Sequence, residues 1–364
     1  MASIPIPRRY RIVMYIPSKN DGCMLEVCLS IPTTVSSQPM AYTGVVISHP
    51  YGPLGGSYNN NVVGAMVQWF ETYTLQAKDQ DNTPSNDSGS SVPLACVICA
   101  FNFRGCGKSK GKTSWFGEAE RDDYQTIIDF LQSGSHPGSS HLENAQQESP
   151  SSTGTSSWNG KAYDETGREI DLPRLPFLSR FILSGYSYGG MIASTIPPPL
   201  RNPSSPNGAH LPTTYILISY PAGVSWFLTS GSQGSFSKRA KAILIGEEES
   251  STPSSPSSQA PLSDDHANAE ARGKQESVEA YFITGTNDQF TSPKTLLSWL
   301  KTNAGLDLVK QEGPMSSWTM ARSDGAVHLD VVENVDHFWL DREQGILDRL
   351  QKWWMETHST STPK

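Results

Sequence analysis

Residues 181–196, FILSGYSYGGMIASTI, constrain the fold more than any other stretch of the chain. An apolar run stops at a turn reading Gly185-Tyr186-Ser187-Tyr188-Gly189, and apolar residues at helical spacing begin straight after it. A turn this tight leaves no room for side chains two residues before or after its central serine, which accounts for Gly185 and Gly189; Gly190 lets the helix approach the sheet. The spacing predicts a strand over RFILSG, a helix over MIASTI that Pro197 ends, and Ser187 held at the apex in a strained conformation costing about 1–3 kcal/mol. A strand running straight into a helix belongs with parallel βαβ units.

The rest of the chain repeats that alternation. RYRIVMYIP and MLEVCLSIP flank SKNDG, which predicts an antiparallel hairpin. YTGVVISHP and LACVICAFNF are continuous apolar runs of the kind buried on both faces. NVVGAMVQWFETYTLQA and GEAERDDYQTIIDFLQS carry apolar stripes at helical spacing, the second with acids in its first turn. TTYILISYP, VEAYFITG and HLDVVENV read as three more strands, and DREQGILDRLQKWWMETH as a closing amphipathic helix. The expected architecture is one α/β domain spanning 1–364. It has three layers, with a mostly parallel central sheet preceded by an antiparallel hairpin. Low-complexity insertions are expected at about 78–92, 133–160 and 249–277, where Ser/Pro/Gly-rich sequence cannot bury enough apolar surface to offset ordering entropy.

Composition excludes several classes. The formal net charge is −8 with no basic cluster, which disfavours nucleic acid as a partner. No run of about 18 apolar residues predicts a membrane span, and MASIPIPRRYRIVMYIPS has no secretory h-region. The five cysteines are an odd number for a disulfide framework, which points to an intracellular, cytoplasmic setting. Cys96 and Cys99 form C-x-x-C, but within a strand run; residues three apart face opposite sides, so buried thiols rather than a metal or redox pair are expected. The oligomeric state is open.

A serine at such an apex acts as a nucleophile only with a base, and the base needs an orienting acid. After Ser187, VEAYFITG runs into TNDQF and places Asp288 just past a strand end. HLDVVENV runs into DHFWL and places His337 just past the next. Catalytic groups collect at the carboxyl ends of parallel strands. Asp336 and Glu333 are rival acids, disfavoured because the acid is expected from the preceding strand's loop. An oxyanion needs two donors. One is the N–H of Tyr188. The other comes from SHPYGPLGGSYNNN, where Pro50 and Pro53 have no N–H and Tyr51 or Gly52 is the better donor, with Leu54 possible. His49 reads as a structural loop histidine. FNFRGCGKSKG matches no phosphate-binding fingerprint, and Arg104 is expected to pair with Glu118 or Asp122.

Taken together, HPYGPLGGSYNN, NFRGCGKSKG with GEAERDD, GYSYGG, GTNDQF and VDHFW resemble the successive motifs of the α/β-hydrolase superfamily. The likeness is to a group similar to dienelactone hydrolases and serine aminopeptidase-like proteins, over about residues 10–355. The resemblance implies Ser187 as nucleophile, Asp288 as acid, His337 as base and residues 49–56 as oxyanion wall. It implies no metal or other cofactor. Two departures stand out: HPYGP where relatives often read HPHP, and Pro197–Pro199 cutting the helix after Ser187. The segment at about 197–240 is therefore a possible cap, in which Trp226, Phe227, Tyr220 and Leu228 would line an acyl pocket together with Leu54 and Tyr186. The expected activity is hydrolysis of an ester, thioester or amide of a small-molecule acyl substrate, carboxylester foremost. The alternatives are a non-catalytic scaffold working through protein partners, and an acyltransferase or lyase using the same residues.

Overall fold

The chain enters the fold as a hairpin and then alternates between strands and helices. A computed structural model describes residues 9–32, 42–72, 75–76, 93–134, 160–171, 175–202, 208–229, 231, 233–245, 278–313, 316–322 and 325–358. The insertions expected at 78–92 and 249–277 lie outside these residues, as does 133–160 apart from its ends. In chain order the elements are β1 (Arg9–Pro17), β2 (Met24–Pro32), β3 (Tyr42–Ser48), α1 (Asn61–Thr72), β4 (Leu75–Gln76), β5 (Pro93–Phe101) and α2 (Glu118–Gly134). Then come β6 (Ala162–Tyr163), β7 (Glu169–Ile170), β8 (Leu178–Tyr186), α3 (Tyr188–Ala193), β9 (Thr213–Ile218), α4 (Ser225–Leu228), α5 (Gln233–Ile245) and β10 (Val278–Gly285). The chain closes with α6 (Pro293–Asn303), β11 (Val309–Lys310), β12 (Ser316–Arg322), β13 (Gly325–Val332) and α7 (Glu343–His358).

The sheet order is β11-β12-β13-β10-β9-β8-β3-β5-β2-β1-β6-β7, with β4 pairing β5 off this path. The six strands from β13 to β5 run parallel, and the pairings on both flanks are antiparallel. The sheet is thus mixed rather than mostly parallel. The β1–β2 flank is the hairpin read from the sequence, whereas the outer strands β6, β7 and β11 are two residues long and show no periodicity to read.

Alternation sorts the strand side chains into two cores. On β3, Val45 and Ile47 face one side and Val46 the other. On β5, Cys96 faces the first core and Cys99 the second. Both thiols are buried, and burial pushes Cys96 up to about 12, so neither reacts near neutral pH. Helices α1 and α7 cover the first face, through Val63, Met66, Phe70, Ile346, Leu350 and Trp353. Helices α2, α3, α5 and α6 cover the other. Helix α1 starts where Asn60 Oδ1 accepts from the Val62 N–H (3.0 Å), and α6 where Ser292 Oγ accepts from the Thr295 N–H (3.2 Å). Beneath the end of β8, the Tyr124 hydroxyl bonds the carbonyls of Val46 and Ser184, each at 3.1 Å, and so ties α2 to β3 and β8.

Arg104 departs from expectation. Its guanidinium binds both oxygens of buried Asp123 (2.6 and 3.0 Å) and reaches Asp21 at 2.7 Å. Glu118 instead pairs with Arg121 and Arg239, and Asp122 accepts from Asn20. On α2 the Asp123 position shares the buried face with Tyr124 and Ile127, and only from that face can a carboxylate meet an inward-pointing arginine.

The order of connections fixes where a site can form. The chain leaves β3 for β5 on one side of it, then crosses to β8 on the other. Loops after β3 and β8 therefore diverge at a topological switch point, where open α/β sheets leave a crevice.

Candidate active site

Ser187 sits at the apex of the β8–α3 turn with φ 54° and ψ −118°. This left-handed backbone is unfavourable for a residue with a Cβ, and the neighbouring glycines hold it in place. A Cβ on Gly185 would lie 2.2 Å from the Gly189 carbonyl carbon, and one on Gly189 would lie 2.6 Å from the His49 oxygen. The turn is thus pressed against the chain leaving β3.

Three side chains from three strand ends meet there. His337 Nε2 lies 2.9 Å from Ser187 Oγ, and His337 Nδ1 lies 2.8 Å from Asp288 Oδ2. All three residues are buried. The other carboxylate oxygen, Asp288 Oδ1, accepts from the N–H groups of Phe290 (3.0 Å) and Thr291 (2.9 Å). Asp336, the rival acid, uses Oδ1 to accept from the N–H groups of Phe338 and Trp339, and Glu333 makes no approach to His337 among the hydrogen bonds described.

The imidazole is also held through its own peptide. The His337 N–H donates to Gln289 Oε1 (3.0 Å), and its carbonyl accepts from the Tyr186 hydroxyl (2.6 Å). Phe290 packs edge-on against the ring, with centroids 4.6 Å apart. Tyr186 and Gln289 are immediate sequence neighbours of Ser187 and Asp288, and Phe290 lies two residues past Asp288. Sequence reasoning missed Gln289 and Phe290, although adjacency to Asp288 was the available signal; it placed Tyr186 in the pocket without its hydroxyl bond.

The loop after β3 forms a one-turn 3-10 helix over Gly52–Leu54. Its internal bonds run from Leu54 N to Tyr51 O, Gly55 N to Gly52 O and Gly56 N to Tyr51 O. The N–H groups of Tyr51 and Gly52 fall outside that set, as first residues of a helical turn do, while that of Leu54 is consumed. Tyr188 opens α3, so its N–H has no intrahelical acceptor. The Tyr51 and Tyr188 rings touch edge-on at 5.2 Å, so the loop after β3 and the start of α3 are in side-chain contact. Gly52 is required for a different reason from substrate approach: a Cβ there would lie 2.2 Å from Cys106 Sγ.

His49 is buried and hydrogen-bonded at both nitrogens. Nε2 accepts from the Phe103 N–H (3.0 Å), and Nδ1 lies 2.6 Å from the Pro50 carbonyl. Burial pushes its pKa down from 6.5 to about 4, only partly offset by the Pro50 bond. Above about pH 6.5 neither folded nor unfolded chain protonates this group. Between 6.5 and 4 only the unfolded chain does, so stability falls as pH falls, by up to about 3 kcal/mol. Urea midpoints of wild type and His49→Gln at pH 7 and 4.5 check this. The glutamine variant keeps an acceptor for Phe103 and should lose less between the two pH values.

A cavity of about 140 Å³ opens onto Ser187 and His337. Its walls include Tyr51, Leu54, Tyr186, Phe227, Leu228 and Phe290. Trp226 does not line it: that ring is 61% exposed and packs edge-on against Phe227. Tyr220 is not a wall either, being buried against Phe282 and Trp299. Of the segment 197–240, Thr213–Ile218 is the inner strand β9 and α5 packs on the sheet. Among the described residues of this segment, Val224, Phe227 and Leu228 reach the cavity. Among the described residues no group of three His, Cys, Asp or Glu could hold a metal ion, and no helix is long and apolar enough to cross a membrane.

No family model matches the chain, and no curated protein matches it. Solved structures do. An α/β serine hydrolase homologue from Coxiella burnetii is 14% identical, with 96% of this chain and 99% of that one covered and a TM-score of 0.46. An α/β serine hydrolase without lid from Xanthomonas campestris is 15% identical, at 98% and 100% coverage and TM-score 0.47. Est1E from Butyrivibrio proteoclasticus, solved with ferulic acid bound, is 9% identical, at 94% and 98% coverage and TM-score 0.49. Likeness at that level leaves function to this chain's own geometry.

Proposed function

We propose that the chain is a serine hydrolase of the α/β-hydrolase fold that cleaves a carboxylic ester through an acyl-enzyme. The observation that carries this is the continuous line from Ser187 Oγ through the His337 ring to Asp288, with Ser187 in a strained backbone conformation. A non-catalytic scaffold has no physical need for either feature. In the proposed reaction His337 Nε2 takes the Ser187 proton as Oγ bonds the acyl carbon. Asp288 holds Nδ1–H and balances the imidazolium. The N–H groups of Tyr188 and of Tyr51 or Gly52 receive the oxyanion. His337 then gives the proton to the leaving alkoxide, and water, deprotonated by the same ring, releases the acid. Five unpaired cysteines support a cytoplasmic setting.

The test is pre-steady-state kinetics with p-nitrophenyl butyrate. A burst approaching one p-nitrophenol per chain, followed by slower turnover, is the expected result. Turnover no faster than that of Ser187→Ala would end the reading.

Tyr186 is a positioning residue in this scheme. Tyr186→Phe removes the donor to the His337 carbonyl and leaves that buried acceptor unpaired. kcat should fall by about tenfold with KM little changed. An equal loss confined to thermal stability, with kcat intact, would show that the bond serves the fold alone.

A further inference from the structure

The cavity at Ser187 combines three properties that select an acyl group. Its volume is about 140 Å³, its walls are mostly aliphatic or aromatic, and among the described residues no ionisable acid or base side chain lines it apart from the His337 imidazole and the phenols of Tyr51 and Tyr186. We propose that it takes an apolar, uncharged acyl group of about four to six carbons, or a single benzenoid ring; this rests on the serine-hydrolase reading above. The bond formed is Ser187 Oγ to the acyl carbon, the bond broken is that carbon to the ester oxygen, and the serine proton leaves on the alcohol.

Size follows from volume, since an apolar cavity of about 150 Å³ accommodates benzene. Polarity follows from the walls. A carboxylate or ammonium on the acyl group would lose its hydration against Tyr186, Val224, Leu228 and Phe290, with no counter-charge among the described lining residues to meet. Asn60 is the neutral amide of the lining and can satisfy a carbonyl or hydroxyl but not neutralise a charge. The mouth continues the same chemistry: Leu54 is 71% exposed, Phe227 61% and Phe338 46%. Side chains this apolar and this exposed around a reactive cavity mark a binding surface.

The test compares kcat/KM for p-nitrophenyl acetate and hexanoate, and for two charge pairs: hexanoate against 6-aminohexanoate, whose remote amine stays protonated at neutral pH, and 4-methylbenzoate against 4-carboxybenzoate. Hexanoate should exceed acetate by at least about tenfold, since each buried methylene contributes up to about fourfold. Each charged ester should fall about 100-fold below its neutral partner. Phe227→Ala, at a largely exposed side chain whose loss the fold tolerates, should cut the hexanoate-to-acetate ratio several-fold. Charged esters turned over as well as their neutral partners, or acetate matching hexanoate, would overturn the inference while leaving the hydrolase reading intact. Failure of every ester, together with failure of Ser187 to label with a fluorophosphonate, would overturn both.

Discussion

Replacing Ser187 with alanine is expected to lower kcat for ester hydrolysis by about 10⁵–10⁶-fold while leaving the fold in place. Among the described residues, the Ser187 hydroxyl lies within hydrogen-bond distance of His337 Nε2, so its removal would eliminate the proposed acyl-enzyme route. The residual rate then comes from water activated beside the oxyanion donors. Stability should be unchanged or slightly higher, because alanine loses no buried partner beyond the imidazole. Circular dichroism and a thermal melt of the variant separate the two effects. A loss of less than about tenfold in kcat with an unchanged melt would mean that the serine hydroxyl does not attack.

The second large effect is Asp288→Asn, expected to cost about 10⁴-fold in kcat. The reason lies in how the carboxylate is held. Oδ1 accepts two backbone N–H groups, from Phe290 and Thr291, so in the variant the amide oxygen must occupy that position. The amide NH2 then faces His337 Nδ1, where Oδ2 stood. A donor there forces Nδ1 to be the acceptor and puts the proton on Nε2. The ring is left in the tautomer that cannot take the serine proton. The loss should ease as pH rises, because hydroxide then competes as base. Asp288→Ala removes the charge without enforcing the tautomer, and it should be compared in the same pH series. Equal activity of Asp288→Asn and wild type at pH 7 would assign the orienting role elsewhere.

Much of the fold was legible because the inner strands are predominantly apolar runs with a recognisable end. Ser187 follows such an end directly and Asp288 and His337 follow theirs within a short loop, so their convergence at one sheet edge was legible in the sequence. The glycines were legible for a related reason: a β8–α3 turn this tight excludes a Cβ at 185 and 189, whatever the surroundings. What remained hidden depends on contacts that periodicity does not encode. Arg104 lies 83 residues from Asp21, and its choice of Asp123 over Asp122 is set by which face of α2 turns inward. Tyr220, Trp226 and Phe227 sit within one irregular stretch with no repeat to say which ring faces the core, the solvent or the cavity. They do all three, in that order. The flanking strands β6, β7 and β11 are too short to alternate, and β12 (SSWTMAR) presents a pattern equally compatible with loop. Adjacency to Asp288 and Ser187 points to Gln289 and Tyr186, but not to the bonds by which their side chains hold the His337 peptide.

The central claim is that Ser187 is a nucleophile activated by His337. A fluorophosphonate probe tests it most directly, because the reagent phosphonylates an activated serine and leaves ordinary surface serines alone. Intact mass should show one adduct per chain, and peptide mapping should place it on Ser187 in the fragment spanning β8 and α3. Ser187→Ala should not label, and His337→Ala should label more slowly by about 10³-fold or more. An unlabelled wild-type protein that is folded by circular dichroism, or an adduct that persists undiminished in Ser187→Ala, would contradict the account.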